Sequence, residues 1–341
     1  MAVAGGKNAR MWHSMRSKAN ILRAAALALA IAIAGLGPVR GQAAYPSQPI
    51  RLIIPFGAGG VADTTSRLVA DRLGDKLGQR VVVENNPGGG GIAAARAALS
   101  APADGHTLAL LTNGTSISVS LFKNLTFNPL TDFAPVTKIG TFEFFFATNA
   151  NAPYRSLADV IQIARDNPGK LNVGTVTAGS TQHLSAMMLK STAAIDFQWV
   201  SFRSSPDVLI ALLRGDIDLA IDAYAAFKAS VDDGKLRLLA TSAPTRSPTL
   251  QEIQTAKEAG ASDFEATAWN GLFVKNGTPA AIVTQLNKIM VEVLADKEIK
   301  RRLLELGIVA DPTSPDDLTT FLKTDIAKWA DVIARNKIEQ R

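Results

Sequence analysis

Short apolar runs and amphipathic stretches alternate along residues 50–111. The apolar runs are typical of strands buried on both faces of a parallel sheet, and the stretches between them predict helices. The predicted strands are Ile50–Phe56, Arg80–Glu84 and Thr107–Leu111, and the predicted helices are Asp63–Leu77 and Ile92–Leu99. In the first helix, Asp63 is the expected N-cap and Gly78 the expected stop. This order predicts a doubly wound α/β unit.

A second unit of the same kind begins near Phe142, where the run FEFFFATNA is strongly apolar. Its predicted helices are Ser156–Asp166, Thr181–Lys190 and Pro206–Leu213, and its predicted strands are Lys170–Val176, Phe197–Ser201, Ile217–Ile221 and Leu236–Thr241. No long linker or low-complexity tract separates the two units. We therefore expect two lobes joined by short hinge crossovers, with a ligand site in the cleft between them.

The C-terminal segment is predicted to be helical. One apolar stripe carries Ile282, Leu286, Ile289 and Val293. A last helix is expected to begin at the cap Ser314 and to place Leu318, Phe321, Leu322, Ile326, Trp329 and Ile333 inward. The expected division is a first lobe of residues 45–145 and 268–341 and a second lobe of residues 146–267.

The first 44 residues differ from the rest in composition. They contain basic residues and no Asp or Glu, followed by the apolar run Ala24–Gly37 and the small residues of Gly41–Ala44. A basic region, a short apolar region and a small-residue site predict a cleaved secretory signal peptide. The apolar run is shorter than the ~20 residues of a membrane-spanning helix, although an uncleaved anchor is the alternative. Met11 or Met15 is a possible alternative start.

Charge and cysteine content narrow the function classes. Six of the 36 Lys and Arg residues precede Tyr45, so 30 basic residues face 30 acidic ones in the remainder. A balanced chain gives no basic field for nucleic acid. There is no cysteine, which excludes zinc–thiolate sites, iron–sulfur clusters and a cysteine nucleophile. His106 and His183 are far apart and have no local metal-ligand spacing.

The loop PFGAGGVAD (Pro55–Asp63) is the first candidate site. It follows a predicted strand and opens a predicted helix, so its glycines let the backbone approach a ligand and the helix N-terminus favours an anion. One alternative is a purely structural turn. The other is a dinucleotide fingerprint, because Gly57–Ala62 fits G-x-G-x-x-A and Glu84 ends the next strand. That alternative predicts an NAD-dependent oxidoreductase, but export and the absence of a visible hydride-transfer set count against it.

Other candidate residues also follow predicted strands. The glycines of Pro87–Gly91 form either a tight turn or a site. The segment Gly174–Leu184 offers the hydroxyls of Thr175, Thr177 and Ser180, with Ser180 as a possible helix cap, and His183 as either a packing residue or a ligand contact. Further candidates are Ser201, Arg203 and Ser204, with Arg203 able to pair with a carboxylate or to be a solvated surface residue, and Asp222, which could face the cleft or cap the next segment.

No catalytic set emerges from these motifs. There is no G-x-S-x-G elbow, no H-E-x-x-H and no locally supported carboxylate pair. Polar groups at several strand ends without a nucleophile–base pair favour binding over catalysis, so we expect a protein that is not an enzyme and needs no cofactor.

The whole chain after residue 44 resembles the tripartite tricarboxylate transporter substrate-binding proteins, the Bug or TctC family. The segments that carry the resemblance are YPSQPIRLIIPFGAGGVAD, LGQRVVVENNPGGGG, PADGHTLAL, DFAPVTKIG, GSTQHL, LLRGDIDLAID, WNGLFVKNGTP and FLKTDIAKWADVI. The resemblance implies a periplasmic, two-lobed α/β receptor of the type II flytrap fold with two hinge crossovers. It also implies a small carboxylate ligand, transient contact with membrane transporter subunits, and a monomer that does not bind nucleic acid.

The resemblance also implies positions of ligand contact. The first-lobe loop maps to Phe56, Gly59, Gly60 and Asp63, the second-lobe loop to Gly179, Ser180 and His183, and the hinge-side acid to Asp222. The complete predicted set is Phe56, Gly59, Gly60, Asp63, Thr175, Thr177, Ser180, His183, Ser201, Phe202 and Asp222.

Four positions depart from the family pattern, namely His106, Thr177, Phe202 and Ser204. Three of them, Thr177, Phe202 and Ser204, lie near the expected pocket, so ligand identity is not inherited from relatives. A sensor receptor that feeds a signalling partner is a further alternative to a transport role.

Overall fold

The computed structural model of the protein describes residues 45–247 and 250–341. Its strands are β1 (Ile50–Ile54), β2 (Val81–Asn85), β3 (Thr107–Thr112), β4 (Phe133–Asn149), β5 (Asn172–Val176), β6 (Gln198–Phe202), β7 (Leu219–Ala223), β8 (Leu236–Thr241), β9 (Thr267–Lys275) and β10 (Ile308–Ala310). Its helices are α1 (Val61–Leu77), α2 (Ile92–Leu99), α3 (Asn113–Leu121), α4 (Leu157–Asp166), α5 (Thr181–Thr192), α6 (Ser205–Arg214), α7 (Tyr224–Asp232), α8 (Ala280–Ala295), α9 (Lys297–Glu305) and α10 (Pro315–Arg335).

The strands form one mixed sheet. Its order is β2-β1-β3-β9-β4-β7-β5-β6, with β8 and β10 paired to the long strand β4. Strand β1 is parallel to β2 and β3, and β5 is parallel to β6 and β7. The central strands β9 and β4 run antiparallel to their neighbours. The expectation of parallel α/β units is therefore confirmed at the two flanks and wrong at the centre.

Strand β4 passes through both flanks of the sheet. Its residues up to Glu143 pair with β9, and its residues from Phe144 onward pair with β7 and β8. We call β1–β3, β9, β10 and the first part of β4 the first region, and β5–β8 and the last part of β4 the second region. The strand predicted from Phe142 in fact begins at Phe133. The sequence pattern did not predict this first part because two register shifts, one beside Pro135 and one beside Lys138, interrupt its alternation.

Hydroxyl caps fix the start of several helices. The side chains of Ser156, Ser180 and Ser314 each accept a hydrogen bond from the backbone N–H three residues later, as the sequence predicts. The prediction for Asp63 is wrong, because α1 begins at Val61 with Gly60 as its N-cap. The Asp63 carboxylate instead accepts the N–H of Gly59, which bends the chain into the helix one turn earlier.

Each region has its own apolar core. The first is built on Phe133, Trp269 and Phe273 with Leu318 and Leu322 of α10, and Phe321 and Ile326 pack partly buried against it. Trp329 and Ile333 are also buried, so the predicted inward face of the last helix is confirmed. The second core is built on Phe145, Val176, Val208, Leu212 and Phe227. Two cores joined by β4 place the junction of the regions at Glu143.

Within the described residues, none of the helices combines the length and the apolar character that crossing a membrane requires. The predicted signal peptide, residues 1–44, lies outside the described residues.

Candidate functional site

A cavity that is partly open to solvent lies where the two regions meet. Its floor is formed by β4 and β9, which contribute Phe142, Phe144, Ala268, Trp269 and Asn270. The first region adds Phe56, Gly57, Gly60, Val61, Ala62, Thr112 and Asn113, and the second region adds Val176, Thr181, Gln182, Arg203, Ser204 and Ser205. The walls are thus polar at the loops and aromatic at the hinge strands.

Four helices begin at this cavity. The first region contributes the N-termini of α1 and α3, and the second region those of α5 and α6, because the N-cap or first-turn residues of all four line it. A helix N-terminus presents unsatisfied backbone N–H groups and roughly half a positive charge. Helix α1 begins without any side-chain cap. The four termini together form an environment suited to an anion.

The four N-termini meet as two pairs, each containing one helix from each region. The first pair is α1 and α6, since a β-carbon placed at Gly60 would lie 3.1 Å from Ser205 Oγ. The second pair is α3 and α5, since a β-carbon placed at Gly114 would lie 3.4 Å from the carbonyl oxygen of Gly179. Any anion held at either pair therefore contacts both regions.

The side chains around the cavity supply donors and no negative charge. Among the described residues that line it, none is acidic and Arg203, whose side chain is largely exposed, is the one cation. Asn270 is 2% exposed, and its Nδ2 has no hydrogen-bond partner among the described residues. A buried amide donor left unsatisfied is costly, so Asn270 Nδ2 is a candidate donor to a bound oxygen.

Asp63 lies behind the first loop and does not line the cavity. Its carboxylate accepts the Gly59 N–H at 3.0 Å, the Asn85 side-chain amide at 2.9 Å and the Arg67 guanidinium at 2.9 Å. Asn85 also donates to the carbonyl oxygen of Phe56. Burial alone would raise the pKa of Asp63, but the bonds from Arg67, Gly59 and Asn85 outweigh it and lower that pKa. Asp63 therefore holds the loop that forms one wall of the site.

Replacing Asp63 by asparagine should loosen this loop. The variant loses a charge-assisted bond to Arg67 and the acceptor for Gly59, so we expect the free energy of unfolding to fall by about 1–3 kcal/mol and ligand affinity to fall with it. Thermal unfolding and a binding titration measure the two effects. The matched control is Asp75→Asn on the exposed face of α1, which should leave both nearly unchanged; equal effects from the two variants would contradict the assignment.

The second loop is held by Ser180 and His183. Ser180 caps α5 by accepting the N–H of His183 at 3.1 Å. His183 Nδ1 accepts the Gly179 N–H at 3.3 Å, and its ring lies against Trp199 with centroids 4.2 Å apart. The Trp199 indole donates to Thr175 Oγ1 at 2.8 Å. Ser180, His183 and Thr175 thus set the shape of the loop from behind it and do not line the cavity.

The remaining predicted residues do not line the cavity either. The Thr177 carbonyl oxygen accepts the Ser180 N–H, Ser201 is exposed, Phe202 packs into the core of the second region, and Asp222 is buried behind Gln182. Of the predicted set, the structure places Phe56 and Gly60 on the cavity wall. The others do not line it.

Several residues that the sequence analysis did not single out fix the hinge side of the site. Asn113 Oδ1 accepts the Trp269 backbone N–H at 2.6 Å, and Asp325 of α10 accepts the Trp269 indole N–H at 2.8 Å. Asn113 Nδ2 lies 3.5 Å from Asp325 Oδ1. Burial raises the pKa of Asp325. The sequence signal for α3 was present as the cap Thr112, whose hydroxyl accepts the Gly114 N–H, but no local pattern indicates contacts with β9 and α10.

The structure does not favour the dinucleotide alternative. Both oxygens of Glu84, the residue that would bind a ribose, lie 2.7 Å from the guanidinium of Arg51. The glycine turn is covered as well, since a β-carbon at Gly57 would lie 3.0 Å from the carbonyl oxygen of Arg203. In the described structure the second region therefore packs directly against Gly57.

Comparisons with solved structures identify the fold. R. palustris Rpa4515 with adipate is 32% identical with a TM-score of 0.83, over 86% of this chain and 99% of that one. The periplasmic binding protein BugD is 27% identical with a TM-score of 0.83, over 87% and 100%. MatC from Rhodopseudomonas palustris with bound malate is 30% identical with a TM-score of 0.80, over 85% and 100%. The two-lobed α/β flytrap fold expected from the sequence is thereby confirmed.

Sequence comparisons agree with the structural ones. A UPF0065 protein encoded between tcbD and tcbE in a Pseudomonas species is 30% identical over 296 residues, covering 86% of this chain and 88% of that protein. BugT of Bordetella pertussis is 29% identical over 311 residues, covering 91% and 95%. The model of the tripartite tricarboxylate transporter family receptor matches residues 65–338. The family model covers most of the chain, and both the sequence relatives and the structural relatives agree with it. The chain, with its four helix N-termini around one cavity, therefore belongs to the tripartite tricarboxylate transporter receptor family.

Proposed function

We propose that this receptor works in the periplasm, binds a small carboxylate in the cavity between its two regions, and delivers it to a membrane transporter. The observation that carries the proposal is the convergence of four helix N-termini on one cavity without an acidic side chain. Such a cavity stabilises a carboxylate through backbone N–H groups and helix dipoles, without a buried cation.

Binding is coupled to closure because each pair of N-termini is completed only when the regions meet. We propose that residues 45–145 with 268–341, and residues 146–267, are the two lobes that move. A ligand that contacts both lobes favours the closed form by its differential affinity for that form. The closed form is then the state that a transporter distinguishes from the empty receptor.

The site residues have two roles in this proposal. Phe56 and Gly60 contact the ligand from the first lobe together with Asn270, which lines the cavity and whose amide donor has no partner among the described residues. Gly59, Asp63, Thr175, Thr177, Ser180, His183, Ser201, Phe202 and Asp222 act on binding from behind the wall. Structural relatives support the ligand class, because the solved structures include one with adipate and one with malate.

A receptor of this kind acts as a monomer that meets transporter subunits transiently, after export by the predicted signal peptide. A sensor that presents the same closed form to a signalling protein would use the same cavity. Transport is the better supported role, because the matching family is the receptor family of a tripartite transporter.

A thermal-shift panel on the purified protein tests the proposal. The panel contains adipate, malate, citrate and benzoate, with NAD and the neutral diamide of adipate as controls. At a hundredfold excess over Kd, a ligand adds about 2.7 kcal/mol to the free energy of unfolding, so we expect at least one carboxylate to raise the unfolding midpoint by several degrees. A shift with NAD and none with any carboxylate would overturn the proposal.

A further inference from the structure

A fully buried carboxyl group lies one residue layer behind the cavity. Asp222, near the end of β7, is 0% exposed. Its Oδ1 accepts the Gln182 side-chain amide at 3.1 Å and the Ala223 N–H at 2.8 Å. Gln182 itself lines the cavity, and so does Ser205, whose hydroxyl lies beside the same carboxyl. Any anion in the cavity is therefore separated from Asp222 by single side chains.

No cation compensates this carboxyl within the described part of the chain. Asp222 forms no ion pair there, and its Oδ2 has no hydrogen bond of normal geometry. A carboxylate taken out of water without a cation costs several kcal/mol, and proteins relieve that cost by protonating it. Burial accordingly raises the pKa of Asp222, and the contacts with Ser205, Gln182 and the Ala223 N–H offset only part of that effect.

The ionisable side chains on the elements around β7 do not supply the missing charge, because they are bonded elsewhere or exposed. On β4 they are Glu143, bonded to Thr241, and Lys138, paired with Asp311. On α5 they are His183, bonded to the Gly179 N–H, and Lys190, paired with Asp196. On and beside α6 and α7 they are Asp207, bonded to Ser204; Tyr224, packed on Phe145; Lys228, paired with Asp232; and Arg203 and Arg214, both exposed.

Resting on the proposed function, we propose that the cavity takes up its carboxylate together with one proton, which is held on Asp222. An ionised Asp222 would oppose the bound anion across one side-chain layer and offset the N-terminal field that attracts it. A protonated Asp222 leaves that field intact. The proton comes from solvent, the only bond formed is O–H on the Asp222 carboxyl, and the proton returns to solvent when the ligand leaves.

The expected pH dependence has a definite sign. An anion in the cavity favours the protonated form of Asp222, so binding raises its pKa further. Affinity for a fully ionised carboxylate is then highest at low pH and falls by up to tenfold per pH unit above the pKa of Asp222 in the empty protein. Between pH 6.5 and 9 a simple dicarboxylate does not titrate, so the change reports on the protein.

Calorimetric titration with adipate, or with malate if adipate gives no heat, measures the proton directly. Repeating the titration at pH 7.5 in two buffers of different ionisation enthalpy gives the number of protons taken up per ligand. For the natural protein we expect uptake of a measurable fraction of a proton, up to one full proton, per ligand bound. For Asp222→Asn we expect no proton uptake and an affinity that is independent of pH. Saturable binding with no proton uptake at any pH between 6.5 and 9 would overturn the inference and leave the proposed function standing.

A second measurement does not depend on the ligand. Infrared difference spectra of the unliganded protein against Asp222→Asn report the C=O stretch of a protonated carboxyl. We expect this band to persist to a higher pH than the band of an ordinary Asp, whose pKa is near 4. A carboxyl that titrates like an ordinary Asp would refute the inference even if no carboxylate in the panel binds, whereas the lack of any carboxylate binding refutes the proposed function.

Discussion

Replacing Gly179 by alanine is expected to lower carboxylate affinity by about 5- to 150-fold. The added methyl would lie 3.0 Å from the Cα of Gly90 and 2.9 Å from the ring of Phe122, both in the first region. Overpacking of this kind costs about 1–3 kcal/mol, which converts to that range at 1.4 kcal/mol per tenfold. Because these contacts exist only where the regions meet, the cost falls on the closed form.

Backbone strain must be separated from this steric effect. Gly179 has φ of +80°, a conformation that alanine disfavours in both open and closed forms. Gly215 provides the matched control, since it has φ of +79° in the same region and nothing within 4 Å of its added carbon. Gly215→Ala should lose stability without losing affinity. Isothermal titration with a panel carboxylate measures the affinity of each variant, and equal affinities for the two variants would argue against closure through Gly179.

The second large effect is an acid-dependent loss of stability through His183. Its ring is 1% exposed, and burial, with a smaller contribution from the Arg341 charge, lowers its pKa to about 4. An unfolded histidine has a pKa near 6.5, so the unfolded state binds the proton more tightly. His183 therefore makes its full contribution to the free energy of unfolding above pH 6.5, and about 3 kcal/mol of that contribution is lost as pH falls to 4.

Denaturant titrations of the natural protein and of His183→Gln, repeated from pH 7 to pH 4, measure this contribution. At pH 7 the natural protein should have a larger free energy of unfolding than the variant. The difference between the two free energies should shrink by about 3 kcal/mol by pH 4. His106→Gln serves as the control and should keep the steep acid dependence. A gap between the natural protein and His183→Gln that does not change with pH would show that His183 titrates normally.

Protonation of His183 also bears on the site. Its Nδ1 accepts the Gly179 N–H, and a protonated imidazole cannot accept that bond. The turn at Gly179 is the point where the second region touches Gly90. Acid should therefore loosen the loop at Gly179. The Gly179→Ala substitution tests how closely this same loop approaches the first region.

The sequence predicted the flanks of the fold better than its centre. Continuous apolar runs located β1, β2 and β3, and serine caps located α4, α5 and α10, because both are local signals. Strand β9 was not predicted, since its neighbours β3 and β4 lie over 100 residues earlier and only their pairing makes it a strand. Its residues Ala268, Trp269 and Asn270 form the cavity floor, so the missed strand is also the missed half of the site.

The first loop shows what a motif can and cannot predict. Its glycines and the following helix predicted close backbone approach to a ligand, and Gly57 and Gly60 do line the cavity. The motif could not show that Asp63 turns back toward Gly59 and Arg67, because those bonds depend on Asn85, which comes from the next strand. Residue types at strand ends thus located the site, while the packing behind them determined which atoms face it.

The passage of β4 through both regions limits how the mouth of the receptor can move. A hydrogen-bonded strand can twist and bend but cannot lengthen, so in the proposed function we expect the lobes to pivot about the strand and not to slide apart. Phe142 and Phe144 flank the pivot at Glu143 with ring centroids 5.6 Å apart. The aromatic floor is consequently present before a solute arrives. The apolar part of the solute therefore contacts this floor before the polar walls come together.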